Sequence, residues 1–247
     1  MTTTKIDHIV RSTISLTTEA PTRAEVLPYG ASGVELRGVG LPTWQFTPRL
    51  IAAWWDDNST CKDQTANLNE RGEGSFWEAD SFAQTNDALY VGCDVPFRGV
   101  YINVINANAT SSVATWSYRK ANNTWADTSD TDNTISTGAT LGHDDTVTWA
   151  VPSDWIKYIV PDTFGAALYW VRLTVGATLD SDVRIGSIVP LGVQSNQPVA
   201  ITSVITALPR YWFNPEAVGG IEATGADTNT LVLDWLVTGK NTGIIAE

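Results

Sequence analysis

Apolar and polar residues alternate with a period of two along much of the chain. In one of the clearest stretches, Val100, Ile102 and Val104 share one face, while Tyr101 and Asn103 share the other. This period is typical of a β-strand with one buried face, because successive side chains of a strand point to opposite sides of its sheet. The stretch therefore predicts a half-buried strand.

The same alternation returns in several later stretches. The residues predicted to share a face in each of them are Ala114, Trp116 and Tyr118; Val147, Trp149 and Val151; Tyr169, Val171, Leu173 and Val175; and Val183, Ile185 and Ile188. Helix signals are scarce, and the one candidate is a single turn in residues 152–160, capped by Ser153 or Asp154. Strands separated by Gly, Asn and Pro indicate an all-β fold, namely an antiparallel β-sandwich or jelly roll.

The pattern also divides the chain into three parts. Residues 1–41 are polar and broken by glycines, so they predict an extended N-terminal arm or lead-in. Residues 42–192 carry the regular alternation and predict the jelly-roll-like sandwich. Residues 193–247 hold two good strand patterns, "QPVAITSVITALP" and "NTLVLDWLVTG", around the glycine-rich stretch "NPEAVGGIEATGAD", which we expect to be a loop. They predict a C-terminal β-hairpin extension, which pairs with a neighbouring chain or adds strands to the same sandwich.

Composition agrees with this fold and argues against some classes of binding partner. Of the 247 residues, 43 % are hydrophobic, which allows a sizeable core, and 17 % are charged, below the roughly 25 % usual for soluble domains. The formal net charge of −12 predicts no nucleic-acid partner, because phosphate binding needs clustered Lys and Arg. We also expect no membrane partner, because the chain has no run of about 18 apolar residues, and its start lacks the pattern of a secretory signal.

The tryptophans raise the question of sugar binding. The chain has eleven of them, and exposed rows of aromatic rings bind sugars by stacking. Trp116, Trp149 and Trp170, however, lie in strands of period two, which favours packing in a core or sheet. Trp170 and Arg172 share a face and predict a cation–π pair that stabilises the sheet.

Metal ligands are few in this sequence. Cys61 and Cys93 are the only cysteines, too few for a structural zinc site, and a disulfide between them is an open but unneeded alternative in a core of this size. Asp127, Asp130 and Asp132 lie close together, but the sixth and twelfth positions counted from Asp130 lack the Gly and Glu of a calcium loop. We therefore expect a solvated turn there, with no metal and no cofactor.

Catalytic patterns are equally scarce. His8 and His143 are the only histidines, and His143 lies in a Gly-His-Asp-Asp stretch that we interpret as a turn. A glycosidase with paired carboxylates is a minor alternative, because distances in space are not visible in a sequence. The sequence therefore predicts that the protein is not an enzyme.

One run of motifs resembles a known family. The order "DALYVGCDVPF", "WSYRKANNTWADTSDTDNT", "VTWAVPSDW" and "LYWVRLTV", within residues 45–191, is similar to a β-sandwich domain of tailed-phage virion proteins. Two departures concern its loops: "RKANN" replaces a compact glycine turn, and "DTDNT" lacks the usual glycine. The matching positions are Tyr118 to Trp125 in a hairpin, Asp130 to Thr134 in a turn, Pro152, Asp154 and Trp155 in a corner, and Tyr169, Trp170 and Arg172 in the last strand.

The resemblance implies a virion structural protein with no active site. We expect a capsid decoration or cement protein that binds the outer surface of a tailed-phage head and stabilises it. Its partners would be the major capsid protein or other virion proteins and further copies of itself, with a trimer favoured, in a virion assembled in the bacterial cytoplasm. A tail, baseplate or head-fibre component is the first alternative, and a carbohydrate-binding, receptor-binding module is the second.

Partner contacts are expected in the arm, at one tryptophan pair and in the C-terminal extension, because arms and edge strands offer backbone groups to a partner. Trp54 and Trp55 are adjacent, so in a strand they face opposite sides. The residues predicted to make these contacts are Thr3, Lys5, Ile9, Val10, Trp54, Trp55, Tyr211, Trp212 and Phe213.

Overall fold

The expected all-β antiparallel sandwich is confirmed. All pairings between named strands are antiparallel, and the strands assemble into four sheets. The computed structural model describes residues 8–18, 22–28, 31–39, 42–69, 76–79, 82–83, 87–160, 165–192, 210–212 and 218–237.

Strands follow one another along the described chain with a single short helix between them. Their order is β1 (His8–Ser15), β2 (Thr22–Val26), β3 (Ala31–Val39), β4 (Thr43–Pro48), β5 (Ala52–Asp57), β6 (Thr60–Asp63), α1 (Thr65–Asn69), β7 (Trp77–Glu78), β8 (Ala88–Cys93), β9 (Gly99–Asn106), β10 (Ala114–Arg119), β11 (Trp125–Asp127), β12 (Thr131–Asp132), β13 (Asp145–Thr148), β14 (Lys157–Tyr158), β15 (Leu168–Val175), β16 (Arg184–Pro190), β17 (Arg210–Trp212), β18 (Val218–Thr224) and β19 (Thr230–Val237).

A central sandwich is formed by two of the sheets. The seven-stranded sheet has the order β11-β10-β15-β8-β5-β6, with β14 paired to β15. The five-stranded sheet has the order β12-β13-β9-β16-β7. Their inward faces bury a common core, in which Val100 and Ile102 of one sheet pack with Trp116 and Leu173 of the other. Because burying one such side chain stabilises by about 1.5–3 kcal/mol, the alternation fixes which face turns inward.

The faces predicted from the alternation pack against this core. Trp116, Val171, Val183 and Ile185 are fully buried in it, and the ring of Tyr169 covers its rim. The indole of Trp149 keeps its N–H satisfied inside the core by donating to the carbonyl of Phe97, although the Trp116 indole N–H has no acceptor among the described residues. Sequence alternation therefore predicted the central sandwich correctly.

The first and last described strands form a second sandwich, called the terminal sandwich here. Its four-stranded sheet has the order β1-β19-β3-β17, and its three-stranded sheet has the order β2-β18-β4. β1 pairs with β19 along its whole length, beginning with His8 opposite Val237. Leu36, Leu233 and Trp235 lie in the core between the two sheets.

A hydrophobic cluster joins the two sandwiches. Ala24 and Val26 of β2 pack against Tyr101 of β9 and against Val189 and Leu191, at and just beyond the end of β16. The three-stranded sheet therefore contributes one face to its own core and the other to the central sandwich. The four sheets are stacked in the order four-stranded, three-stranded, five-stranded, seven-stranded.

An ion pair lies beside this cluster. Arg98 Nη2 donates to Glu222 Oε1, and Gln45 Nε2 donates to Glu222 Oε2 at 2.7 Å. Arg98 Nε also donates to the carbonyl of Gly192 at 3.0 Å. The side chain of Glu222 is only 3 % exposed, so its charge depends on these two donors.

The glycine-rich stretch in residues 214–227 was wrongly predicted to be a loop. Its residues 218–224 form β18, the central strand of the three-stranded sheet. A Cβ atom on Gly220 would lie 2.0 Å from the carbonyl oxygen of Glu25, and one on Gly219 would lie 2.4 Å from that of Pro48. The glycines are therefore required by close backbone approach within a strand.

The helical turn predicted in residues 152–160 is also wrong. Trp155 forms an antiparallel bridge with Lys120, and Ile156 N donates to the carbonyl of Arg119 at 3.1 Å. The segment is thereby tied to the end of β10 as a corner that leads into β14. The one described helix is α1, whose Leu68 is buried in the central core.

The two terminal segments pair with each other. The described residues of the expected N-terminal arm form β1, β2 and β3, and those of the expected C-terminal extension form β17, β18 and β19. The pattern "QPVAITSVITALP" lies outside the described residues. The boundaries 1–41, 42–192 and 193–247 stay a prediction, but the pairing shows why neither segment forms a sandwich core alone.

Candidate functional site

The outward face of the seven-stranded sheet carries aromatic and arginine side chains. Alternation places them there, because their neighbours along each strand, such as Tyr118 and Val171, turn into the core. The strand register sets Trp54 beside Tyr90, and Tyr90 beside Arg172. We call this surface the guanidinium–aromatic platform and define it by Trp54, Tyr90, Arg119, Trp125, Tyr158 and Arg172.

Both arginines of the platform lie against aromatic rings. Arg119 Cζ lies 4.1 Å from the ring centroid of Tyr158 and 5.5 Å from that of Trp125. Arg172 Cζ lies 5.0 Å from the Trp125 centroid. Tyr90 packs against Trp125 with centroids 5.7 Å apart and ring planes at 50°. One indole therefore meets two cations and a phenol.

The cation–π pair expected between Trp170 and Arg172 is replaced by the contact of Arg172 with Trp125. Trp170 is fully buried, and its indole N–H donates to the carbonyl of Tyr158 at 2.7 Å. Trp170 therefore lies beneath β14, where the guanidinium of Arg172 does not stack on it. Arg119 is a platform residue that sequence reasoning missed. It lies at an outward position of β10, next to the hairpin that places Trp125 beside it.

The platform holds two positive charges, and the negative charge of Asp56 also acts on Tyr90 within it. Within the described part of the chain, neither Arg119 nor Arg172 forms an ion pair. Three N–H donors, Arg119 Nε, Arg172 Nε and Trp54 Nε1, are buried and have no acceptor there. Burial raises the pKa of Tyr90, and the neighbouring Arg172 opposes that rise.

Three carboxylates lie beside the platform on the same face of the sheet: Asp63 opposite Trp54, Asp56 two residues from Trp54, and Asp127 two residues from Trp125. Asp56 Oδ1 accepts a hydrogen bond from Ser59 N at 2.8 Å, and Asp127 Oδ1 accepts one from Ser129 N at 2.7 Å. Both contacts hold turns in place. These carboxylates cap loops and form no ion pair with Arg119 or Arg172 in the described part of the chain.

The acidic loop after β11 is a hydrogen-bonded turn. Asp132 accepts from the backbone N–H and hydroxyl of Thr134 and from the hydroxyl of Thr140, at 2.6–2.8 Å. Asp130 Oδ1 accepts from the hydroxyl of Thr128 at 3.1 Å, and burial raises its pKa. The carboxylate oxygens of Asp130 and Asp132 therefore form hydrogen bonds within the protein and stabilise this loop.

The Gly-His-Asp-Asp stretch forms the turn before β13. Asp144 accepts from Val104 N at 2.7 Å and from Asn103 Nδ2 at 3.2 Å, which fastens the turn to β9. His143 Nε2 lies 4.0 Å from Asp145 Oδ2. Burial raises the pKa of Asp145, whose Oδ1 accepts from Thr146 N. The turn is thus structural.

Within the described ranges, no three or more His, Cys, Asp or Glu side chains are placed to hold a metal ion. The same residues contain no helix with the length and hydrophobicity needed to cross a bilayer.

The contact residues predicted from the arm and extension lie on opposite edges of one sheet. Ile9 and Val10 belong to β1, where Ile9 is exposed and Val10 is half-buried against the terminal core. Tyr211 belongs to β17 at the other edge, and its ring packs 4.7 Å from that of Trp44. Trp212 lies on β17 opposite Gly33.

The remaining predicted contacts are separate from these. Trp55 is buried in the central core and Trp54 lies on the platform, as expected for adjacent residues of a strand. Thr3, Lys5 and Phe213 lie outside the described residues. The predicted set is therefore not one continuous surface, and its role in binding stays a prediction.

Comparisons with family models and curated proteins assign no family or function to this chain. No protein-family model matches the chain, and the search of curated proteins finds no significant match.

Proposed function

We propose that the chain is a structural protein of a tailed-phage virion, a capsid decoration protein that binds the outer surface of the head and stabilises it. The motif order within residues 45–191 suggests this assignment, and a stack of antiparallel sheets suits a rigid building block. The acidic charge of −12 would keep decorated particles apart in solution.

The observation that supports the proposal best is the edge strand β1. Among the described strands, β1 has β19 as its one neighbour, and none of them pairs with its other side. Its outward side chains include Ile9, which is 56 % exposed. A long edge strand with an exposed apolar residue is a template for strand addition by a partner protein.

Inward residues hold this edge in place. Ile14 and Leu16 are buried in the terminal core, and Arg11 donates to Asp234 on β19. Removing the whole segment would therefore unfold the terminal sandwich, and a point substitution on the outward side is the cleaner test. Many copies held through such edges on a lattice would gain avidity from the repeated contact.

The first experiment counts copies of the chain in purified particles of the phage that encodes it. Quantitative mass spectrometry against the most abundant virion protein should give hundreds of copies per particle. A handful of copies would overturn decoration in favour of a tail, baseplate or head-fibre component, and absence from particles would overturn the virion assignment altogether.

The second experiment tests the β1 edge. Ile9→Lys places a charge on the edge and should lower particle occupancy while the protein remains folded. The matched control is Ile105→Lys, at an equally exposed position (52 %) of the five-stranded sheet, which should attach normally. Equal loss for both variants, or none for Ile9→Lys, would contradict attachment through β1.

A further inference from the structure

We infer that the guanidinium–aromatic platform binds an acidic saccharide, meaning an oligosaccharide whose pyranose rings carry carboxylates. This inference goes beyond the proposed virion role and does not rest on it. It is carried by the juxtaposition of two unpaired guanidinium groups with partly exposed rings on one face of a sheet.

Charge is the first feature of the platform that favours binding of an anion. Arg119 and Arg172 form no ion pair within the described part of the chain, although the chain as a whole is strongly acidic. Both guanidinium groups lie within 5.5 Å of the centroid of the same indole, that of Trp125. The buried donors Arg119 Nε, Arg172 Nε and Trp54 Nε1 add partial positive charge without an acceptor. A guanidinium group that lacks an ion-pair partner attracts a carboxylate, while Asp56, Asp63 and Asp127 bound the platform on the same face.

The second feature is the geometry of the two guanidinium groups, which determines the shape of anion that they bind. The guanidinium group is planar and matches a carboxylate in bidentate fashion, while its stacking on an aromatic ring fixes its orientation. Arg119 is held in this way by Tyr158, and Arg172 by Trp125. The platform therefore presents two oriented forks, which suits separate carboxylates better than one spherical ion.

The third feature is the aromatic surface between the two guanidinium groups. Trp54, Tyr90 and Trp125 are each half-buried on the outward face, so part of each ring meets solvent. The C–H face of a pyranose packs on such rings. The Tyr90 and Trp125 rings are tilted by 50°, which differs from the coplanar row expected for a crystalline neutral polysaccharide.

Other polyanions fit less well. Nucleic acid carries a phosphate at every residue and would be repelled by the net charge of −12. An acidic peptide would supply carboxylates but no ring to stack on the aromatic surface. A saccharide with one carboxylate on alternate sugars satisfies both features of the platform.

The test is calorimetric titration of the full chain with a tetrasaccharide of alternating glucuronate and N-acetylglucosamine. The comparison ligands are the neutral tetramer of N-acetylglucosamine, tetraglutamate and a short oligothymidylate. The acidic tetrasaccharide should bind with the lowest Kd, and its affinity should fall as salt is raised. Tighter binding of tetraglutamate, of oligothymidylate or of the neutral tetramer, or no binding of the acidic one, would overturn the inference.

Variants assign the binding to the platform. Arg172→Gln and Arg119→Gln should each weaken binding about tenfold or more, because each removes a charge-assisted hydrogen bond. The matched control is Arg184→Gln, since Arg184 also stacks on a ring, 4.9 Å from that of Phe76, but lies on β16 of the other sheet. Circular dichroism checks folding, and if one variant unfolds, the other carries the test. Unchanged affinity in a folded platform variant, or equal loss in the control, would overturn the inference.

Discussion

Arg98 and Glu222 form an ion pair across the junction between the central and terminal sandwiches. Arg98 immediately precedes β9 of the central sandwich, and Glu222 lies on β18 of the terminal one, where its carboxylate is almost completely buried. A buried carboxylate is stable as an ion only while its donors remain. This pair therefore joins the two sandwiches at their junction.

Replacing Arg98 should destabilise the protein strongly. Arg98→Met leaves the buried Glu222 with Gln45 as its described side-chain donor, and we expect a loss of about 3 kcal/mol in the free energy of unfolding. Urea denaturation at neutral pH measures it. The control is Lys62→Met, which removes the exposed pair with Asp57 and should cost less than about 1 kcal/mol. Similar losses for the two variants would show that burial of Glu222 does not govern the effect.

Stability should fall in acid because of Asp234. The hydrogen bond from Arg11 and the charge of Arg37 hold the pKa of Asp234 below its ordinary value. A depressed pKa means that the contribution is fully present above the unfolded value of about 3.9 and is lost as pH falls through the folded value. Asp234→Asn should therefore lower the melting temperature at pH 7 and flatten its decline below about pH 4.

Asp145 provides the opposite case. Burial raises its pKa, so the folded state binds a proton more readily than the unfolded chain, and stability falls as pH rises above about 4. Asp145→Asn should remove that fall. If both substitutions shifted the pH profile in the same direction, the assignment of these two carboxylates would be wrong.

The two cysteines should differ sharply in reactivity. Neither forms a disulfide; Cys93 is fully buried, and burial raises its pKa, while Cys61 is half-buried on β6. Because the thiolate is the reactive species, a thiol reagent should label one site per native chain and two after denaturation. Cys61→Ser should abolish native labelling. Fast labelling of that variant without denaturant would contradict the buried position of Cys93.

Gly220→Ala should destabilise the terminal sandwich. The new Cβ would lie 2.0 Å from the carbonyl oxygen of Glu25, so β2 and β18 must separate, which should cost about 2 kcal/mol. Thermal unfolding gives the loss. At Gly176, where the nearest atom is 3.5 Å away, the same substitution should change stability by about 0.5 kcal/mol or less. A loss at Gly220 no larger than that would mean that the strands adjust freely.

Local alternation predicted the central sandwich because each strand there buries one face. Trp116 and Leu173 could be assigned to a core from period alone, and both are buried. The terminal sandwich could not be predicted in this way. Gly220 hides the strand character of β18, and the partners of β1 lie more than 200 positions away, as for Arg11 and Asp234.

The platform was only partly visible in the sequence. Alternation identified Arg172 as an outward residue, but its stacking partner is Trp125 across the sheet and not Trp170 on the same strand. That choice depends on the cover that β14 places over Trp170, which in turn depends on the corner at Trp155. Contacts of this kind depend on tertiary packing, which a short stretch of sequence does not reveal.

The pairing of β1 with β19 sets an order of events during synthesis. The strands of the central sandwich are complete once residue 190 has left the ribosome, whereas β1, β2, β3 and β4 wait for β17, β18 and β19. The early strands must remain unpaired, or held by a chaperone, for most of translation. A message cut short before residue 218 would thus lack β18 and β19 and leave β1, β2 and β4 without their strand partners, a species prone to aggregation and proteolysis.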